Sequence, residues 1–576
     1  MVVPSRQRAH ALRLAYAAAQ LGRGRQVWAS PDALPLEGWL TREVERYAAS
    51  REGVPRLLSP AEEWLLWRQS TAETLGGTDL VNRASLAESL RRAGALAADL
   101  GIDLRALRGA AGTETDLLAA THRAVVERCR ALGAASLPAA LAGMPCVGDD
   151  RPVAFAGFLI PSPRLRSLAA ARTRNGFESA CWSAMDLASD VVPAPPRVVR
   201  AADEREELER IAEWCRRHLT AQADARLLVL LPGSAGRRER LAALIRQAVD
   251  PAGSLRGSPP LADADPGDRT SAPLVGLEGG QPLAVLPMIA HALAGLALLA
   301  GEALEIESAL EWLRAPWWIE PDAPGRARLD LWLRQRGRLR LDLSGLVAAL
   351  RRAPAALAAP ARAIAGRLEQ AAESVQAAAG TPREWSERLQ AALDVMGWPG
   401  ARTRGSAEQQ TLVRFYELLD ELGQLSAAAR TMSLRTAVQW LTELAARTAY
   451  RPSDDDPAVT ISPAYVDPVA RYDGVWVAGL HAESLPQPVA PDPFLPLPAQ
   501  VAAGWPAATA AGRLQEAQAL LTAWRAAGAE CVLSAPARAE DIELLPSPLI
   551  EEWRAAAPME EPCPSVWLPA RLRRPG

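Results

Sequence analysis

The stretch "ARLLVLLPGSAGRRERLAALIRQAV", residues 225–249, opens with an unbroken apolar run from Leu227 to Leu231 and then breaks at Pro232 and Gly233. After Ser234 the apolar residues Leu241, Leu244, Ile245 and Ala248 recur at helical spacing. The order is therefore strand, loop, helix. A helical stretch, "ADEREELERIAEWCRRHL", precedes it. A strand apolar on both faces, set between helices, belongs in a parallel sheet covered on each side.

Working outward, the same alternation appears at both ends of the chain. "MVVPS" is a short apolar opening, "RQRAHALRLAYAAAQ" a helix and "RQVWASPDALPLEGWL" a strand-like piece. Residues 51–145 read as helical throughout. In "LSPAEEWLLW", Ser59 is placed to cap a helix, with Pro60 in its first turn and Glu62 at capping-box spacing. "RPVAFAGFLI" (151–160) is a buried strand, and the proline-rich "DVVPAPPRVVRAADE" (190–204) a linker and domain boundary. Residues 251–280 read as a flexible loop, and 281–450 as helical. The apolar segment Ala284 to Ala300, broken by Pro287 and His291, is short of the ~20 residues a membrane span needs and reads as a buried helix. Strands return after "RPSDDDPA" (451–458) as "VTISPA", "GVWVAGL" and "AECVLSAP". Val475 to Leu480 is expected to be core strand, His481 to Ser484 a strand-end turn, and the chain from Pro486 a rigid connector.

This predicts an α/β protein with two parallel-sheet lobes, each interrupted by a mainly helical insertion. The first lobe takes residues 1–50 and 146–195, with 51–145 inserted. The second takes 196–300 and 451–550, with 301–450 inserted, and 551–576 is a tail.

Composition narrows the chemistry. The chain has 576 residues, 49% hydrophobic and 23% charged, with net charge -3, so a whole-chain basic field is absent. It contains no lysine; all 64 basic residues are arginine. The six cysteines and five histidines are scattered, with no C-x-x-C or H-E-x-x-H, which predicts a reducing, cytoplasmic setting and no metal or cofactor. A P-loop needs a lysine over the phosphates, and the loop with Gly233, Gly236 and Arg237 has the wrong spacing. The strand "VAFAGFLI" carries Ala156 and Gly157 where a motor would place its Mg²⁺ carboxylates. The pairs Glu62/Glu63 and Glu206/Glu207 read as helix-surface charges and "SDDDP" (453–457) as a solvated turn. Glu530, Glu540, Asp541 and Glu543 lack the lysine a PD-(D/E)XK nuclease requires. No catalytic or nucleotide-binding residue is assigned.

One segment suits DNA. "RLDLWLRQRGRLRLDL" (328–343) sets Arg328, Arg334, Arg336, Arg338 and Arg340 around Trp332, combining phosphate pairing with stacking. His481, in its strand-end turn, is a further candidate contact to DNA or to the other lobe.

Several segments together resemble a known family. They are "VVPSRQRAHALRLAYAAAQ" with "VWASPDALPLEGWL", "VAFAGFLIPSPRLRSLAAA", "ARLLVLLPGSAGRRERLAALIRQAVDP", "ESALEWLRAPWW" and "YDGVWVAGLHAESLPQPVAPDPFLPLPAQ". Their order is similar to the AddB/RecC-like group of inactivated superfamily-1 (UvrD-type) helicase proteins, nearest its bacterial "probable DNA repair protein" branch. The resemblance covers most of residues 1–550. It implies two RecA-like (P-loop-type) lobes, a non-catalytic scaffold acting on DNA ends in double-strand-break repair, and a UvrD-like or AddA-like helicase–nuclease partner, with no membrane. Relatives carry a PD-(D/E)XK nuclease after "PSPLI". With 26 residues following Ile550 here, that domain is expected to lie outside this chain. Two alternatives stay open: part of an exonuclease whose catalytic domain lies downstream, or a helical protein-interaction scaffold that does not act on DNA.

Overall fold

The computed structural model describes residues 1–76, 82–107, 112–144, 146–182, 195–251, 274–318, 323–450 and 457–554. Residues 453–456 of "SDDDP", most of the 251–280 loop and all but the first turn of the tail lie outside them.

Two parallel sheets organise the molecule. The small one has β1 (Val2–Val3), β2 (Leu34–Pro35), β3 (Val153–Ala156) and β4 (Ser179–Trp182), in the order β2-β1-β3-β4. The large one has β5 (Arg197–Ala201), β6 (Leu227–Leu230), β7 (Val275–Leu277), β8 (Val459–Ser462), β9 (Tyr472–Val477) and β10 (Gly528–Pro536). Their order is β5-β10-β9-β6-β8-β7, and every pairing is parallel. β6 is buried along its whole length between β9 and β8. One face packs Trp214, Ile211, Leu241 and Ile245 against Leu227 and Val229. The other packs Trp524, Leu520 and Tyr465 against Leu228 and Leu230.

Local signals formed what their chemistry predicts. Ser59 caps the helix Pro60–Leu75 in a complete capping box with Glu62. Ser234 caps α3 (Ala235–Val249), and Asp203 caps α2 (Glu204–Ala221). The segment 284–300 is a buried helix, Pro287–Leu299.

Four expectations need correction. "RQVWASPDALPLEGWL" gives only the two-residue β2; Val27 is 89% exposed, and Pro35 turns the chain into the helix Leu36–Ala49. The second half of the expected linker 190–204 is β5, an edge strand, where neighbouring prolines are tolerated. β7 forms the opposite edge within the expected loop 251–280. β9 stops at Val477 rather than Leu480, because Gly479 takes φ +73° and turns the backbone out of the ladder.

The helical stretches pack beside the sheets and on each other. Residues from 283 to 450 share one core with Trp64 and Leu65 of the first stretch. Trp64 meets Trp440 edge-on at 6.0 Å, and Arg68 pairs with Glu443. The proline-rich segment after β9 also reaches across. Leu495 is buried against Leu66, Trp67, Leu90 and Leu118, with Phe494 packed beside it. Among the described residues, no helix is long and apolar enough to cross a membrane.

Candidate functional site

In open parallel sheets, ligands and catalytic groups collect at the carboxyl ends of the strands. At that edge of the large sheet, Glu207 enters from α2 and is fully buried. Its Oε1 accepts from the Gly479 backbone N–H at 2.9 Å and from the Ser534 hydroxyl at 2.6 Å. Its Oε2 lies 2.8 Å from Arg237, which also pairs with Glu204 at 3.0 Å. Trp476 Nε1 donates to Ser534 at 2.8 Å. Burial pushes the Glu207 carboxyl pKa up, and Ser534, Gly479 and Arg237 each pull against that rise. Two strand ends and two helices are thus tied at one carboxylate.

This overturns the reading of Glu207 as a surface charge, while Glu206 stays partly exposed and pairs with Arg210 one turn on. A signal was available: Glu207, Ile211, Trp214 and Cys215 fall on one helical stripe, and all four are buried. Glu62 is likewise buried, held by Arg56 at 2.7 Å and by its own capping box. The loop at Gly233, Gly236 and Arg237 is a capped strand-to-helix turn whose arginine faces carboxylates.

His481 lies at the same edge, half-buried in a turn closed by Ser484. The Ser484 hydroxyl accepts from the His481 N–H at 2.9 Å and lies 2.6 Å from the Gly479 carbonyl. Tyr465 directs its hydroxyl at the Ala478 and Gly479 carbonyls, at 3.0 and 2.9 Å. Burial lowers the His481 pKa. Among the described residues, no group of three His, Cys, Asp or Glu is gathered as a metal would require.

The carboxyl edge of the small sheet is filled by a segment that leaves the large sheet. The segment after β8 runs along it. Arg8, in the first turn of α1 (Arg6–Gly22) behind β1, donates to the Pro468 carbonyl at 3.1 Å and meets Glu278 at 3.4 Å. The two side chains are 4% and 9% exposed. Asp467 is buried beside them. Its Oδ1 accepts from the Val469 N–H at 2.9 Å, and burial raises its pKa to about 6. At the end of β3, Gly157 has φ +78°, and a Cβ there would sit 2.4 Å from Val469. Ala11 and Leu159, both from the first stretch of chain, join the core under the large sheet. Nothing in the spacing of "RQRAHALRL" singles out Arg8, because its partners lie more than 200 residues away.

The arginine segment belongs to the second helical stretch, not to either sheet edge. Arg328, Arg334, Arg336, Arg338 and Arg340 are all exposed. Arg328 and Trp332 lie one turn apart on α5 (Ala323–Arg334), with α4 being Ile306–Arg314. Arg336 stacks over the half-buried Trp332 at 4.2 Å. Leu331 and Leu339 are 60% and 79% exposed. Arg334 is held by Asp330 and Glu307, and Arg340 by Glu305 at 3.2 Å. His481 thus sits with Glu207 and Tyr465, and the six residues of the segment sit together elsewhere. No protein-family model matches the chain, and no curated protein matches it.

Proposed function

We propose that this chain is a non-catalytic, helicase-like scaffold that binds DNA ends in double-strand-break repair. In this reading the two parallel sheets are RecA-like lobes, and a UvrD-like or AddA-like helicase–nuclease subunit is the partner. One observation carries the reading. Each sheet is assembled from two separated stretches of chain with a helical stretch between them, yet the chain has no lysine for a phosphate loop and has Ala156 and Gly157 at the end of β3. Both features support the reading of a motor-like scaffold that has lost its nucleotide chemistry.

DNA contact is assigned to the stacked pair Trp332 and Arg336, flanked by Arg328 and Arg338. An exposed guanidinium plane on an indole can accept a base or pair with a phosphate. The test is binding of labelled duplexes with blunt or single-stranded ends across a salt series, alongside an ATPase assay. End binding that weakens as salt rises, without ATP turnover, supports the proposal. ATP hydrolysis, or no DNA binding even at low salt, overturns it.

A further inference from the structure

We propose that Arg8 is an internal latch that holds the two sheet-bearing lobes in one fixed arrangement. Four contacts converge on the same seam. Arg8 crosses it to the Pro468 carbonyl and to Glu278. Gly157 lets β3 approach Val469 more closely than any side chain would allow. Ala11 and Leu159 extend the apolar core of the large sheet into the small one. Tyr465, three residues before Pro468, anchors the same segment to the carbonyls that follow β9. The segment 465–469 is therefore pinned on one side to the large sheet and on the other to the first turn of α1.

The location gives the latch its meaning. The crevice at the carboxyl ends of a parallel sheet is where such folds ordinarily admit a ligand. Here the guanidinium and the Pro468 loop occupy it. A buried cation with a carboxylate and a carbonyl in reach is secure while all three are present. It becomes costly when one is removed. The contacts that close the joint all come from the chain's own residues, Arg8, Glu278, Pro468, Gly157 and Val469, and these set the angle between the sheets. The latch does not depend on DNA binding.

Hydrogen exchange of the full chain, read peptide by peptide, tests it in Arg8→Ala and in the milder Glu278→Gln. The latch predicts that exchange across residues 465–471 and 154–160 rises by at least about tenfold in Arg8→Ala. The rise should be smaller in Glu278→Gln, and exchange in the helix Pro382–Met396 should stay unchanged. Small-angle scattering of Arg8→Ala should show a larger radius of gyration. Unchanged exchange at the seam in both variants overturns the latch. So does faster exchange spread evenly over the whole chain in Glu278→Gln, which would make the contact part of global stability and not a local joint. A wild-type chain whose seam exchange slows on adding Mg²⁺–ATP would also overturn it, because the crevice would then be open to nucleotide.

Discussion

Glu207 and Arg237 meet at 2.8 Å beneath the carboxyl edge of the large sheet, with the carboxylate fully buried and the arginine side chain 17% exposed. The pair occupies the place where an active parallel-sheet protein would keep its chemistry. Each of the three contacts the carboxylate makes there goes to a strand end or to α3.

Removing that carboxylate should therefore unfold the edge and not alter a reaction. Glu207→Ala leaves Arg237 with Glu204 alone and leaves the Gly479 N–H without its acceptor. The expected loss is about 3–5 kcal/mol. Glu207→Gln keeps an acceptor for Gly479 and Ser534 and should lose roughly half as much. Chemical denaturation followed by tryptophan fluorescence would rank the two. Equal stability of Glu207→Ala and wild type would refute the role.

His291 should make the helical stretch sensitive to acid. Its ring is enclosed by Trp312, Trp317 and Trp318, and neither ring nitrogen has a hydrogen-bond partner among the described residues. Burial pushes its pKa down to about 3, with the Arg326 charge adding to the effect. The unfolded chain takes up this proton near pH 6.5 and the folded chain does not. Stability is thus complete above pH 6.5 and falls as the pH drops towards 3, by up to about 4 kcal/mol. In His291→Leu the melting temperature should lose most of that dependence between pH 6.5 and 4. An unaltered slope would show that other groups cause it.

Asp467 predicts the opposite sign at the seam between the two sheets. Its folded pKa, raised to about 6 by burial, lies above the value near 3.9 of an unfolded chain. Its favourable contribution is present below pH 4 and is lost as the pH rises through 6, even with Arg8 nearby. Asp467→Asn preserves the acceptor for the Val469 N–H. It should be more stable than wild type at pH 8, by up to about 3 kcal/mol, with the gap closing below pH 4. Thermal midpoints at the two pH values would check it; a variant less stable at pH 8 would rule it out.

Within the arginine segment, the residues should not contribute equally to DNA affinity. Arg334 and Arg340 are already engaged by Glu307, Asp330 and Glu305. Arg336 and Trp332 present a stacked surface to solvent. Trp332→Ala and Arg336→Ala should each weaken binding by about 1–3 kcal/mol. Arg334→Ala and Arg340→Ala should cost less than about 1 kcal/mol. Fluorescence anisotropy with end-labelled DNA would give the order, and equal losses at all four positions would contradict it.

Features set by neighbours in sequence were legible beforehand. Ser59 with Glu62, the buried run Leu227–Leu230 and the helix Pro287–Leu299 all follow from spacing within about a dozen residues. The edge strands β5 and β7 were obscured by adjacent prolines and glycines, which read as linker. The seam was not legible at all. Arg8 acquires its role only because the topology carries Glu278 and Pro468 to the turn behind β1. Glu207 was partly legible: its stripe pointed inward, but its neighbour Glu206 made the pair look solvated.

The docking of Phe494 and Leu495 onto Leu66, Trp67 and Leu90 bears on how the chain is made. The helices near the amino terminus leave the ribosome well before the segment that completes their core. At ~5–20 residues per second the delay is of the order of tens of seconds. During that interval an apolar groove stands open to neighbouring nascent chains. Expression at lowered temperature, or with a chaperone that covers such grooves, should raise the yield of folded protein more than any change to the finished surface.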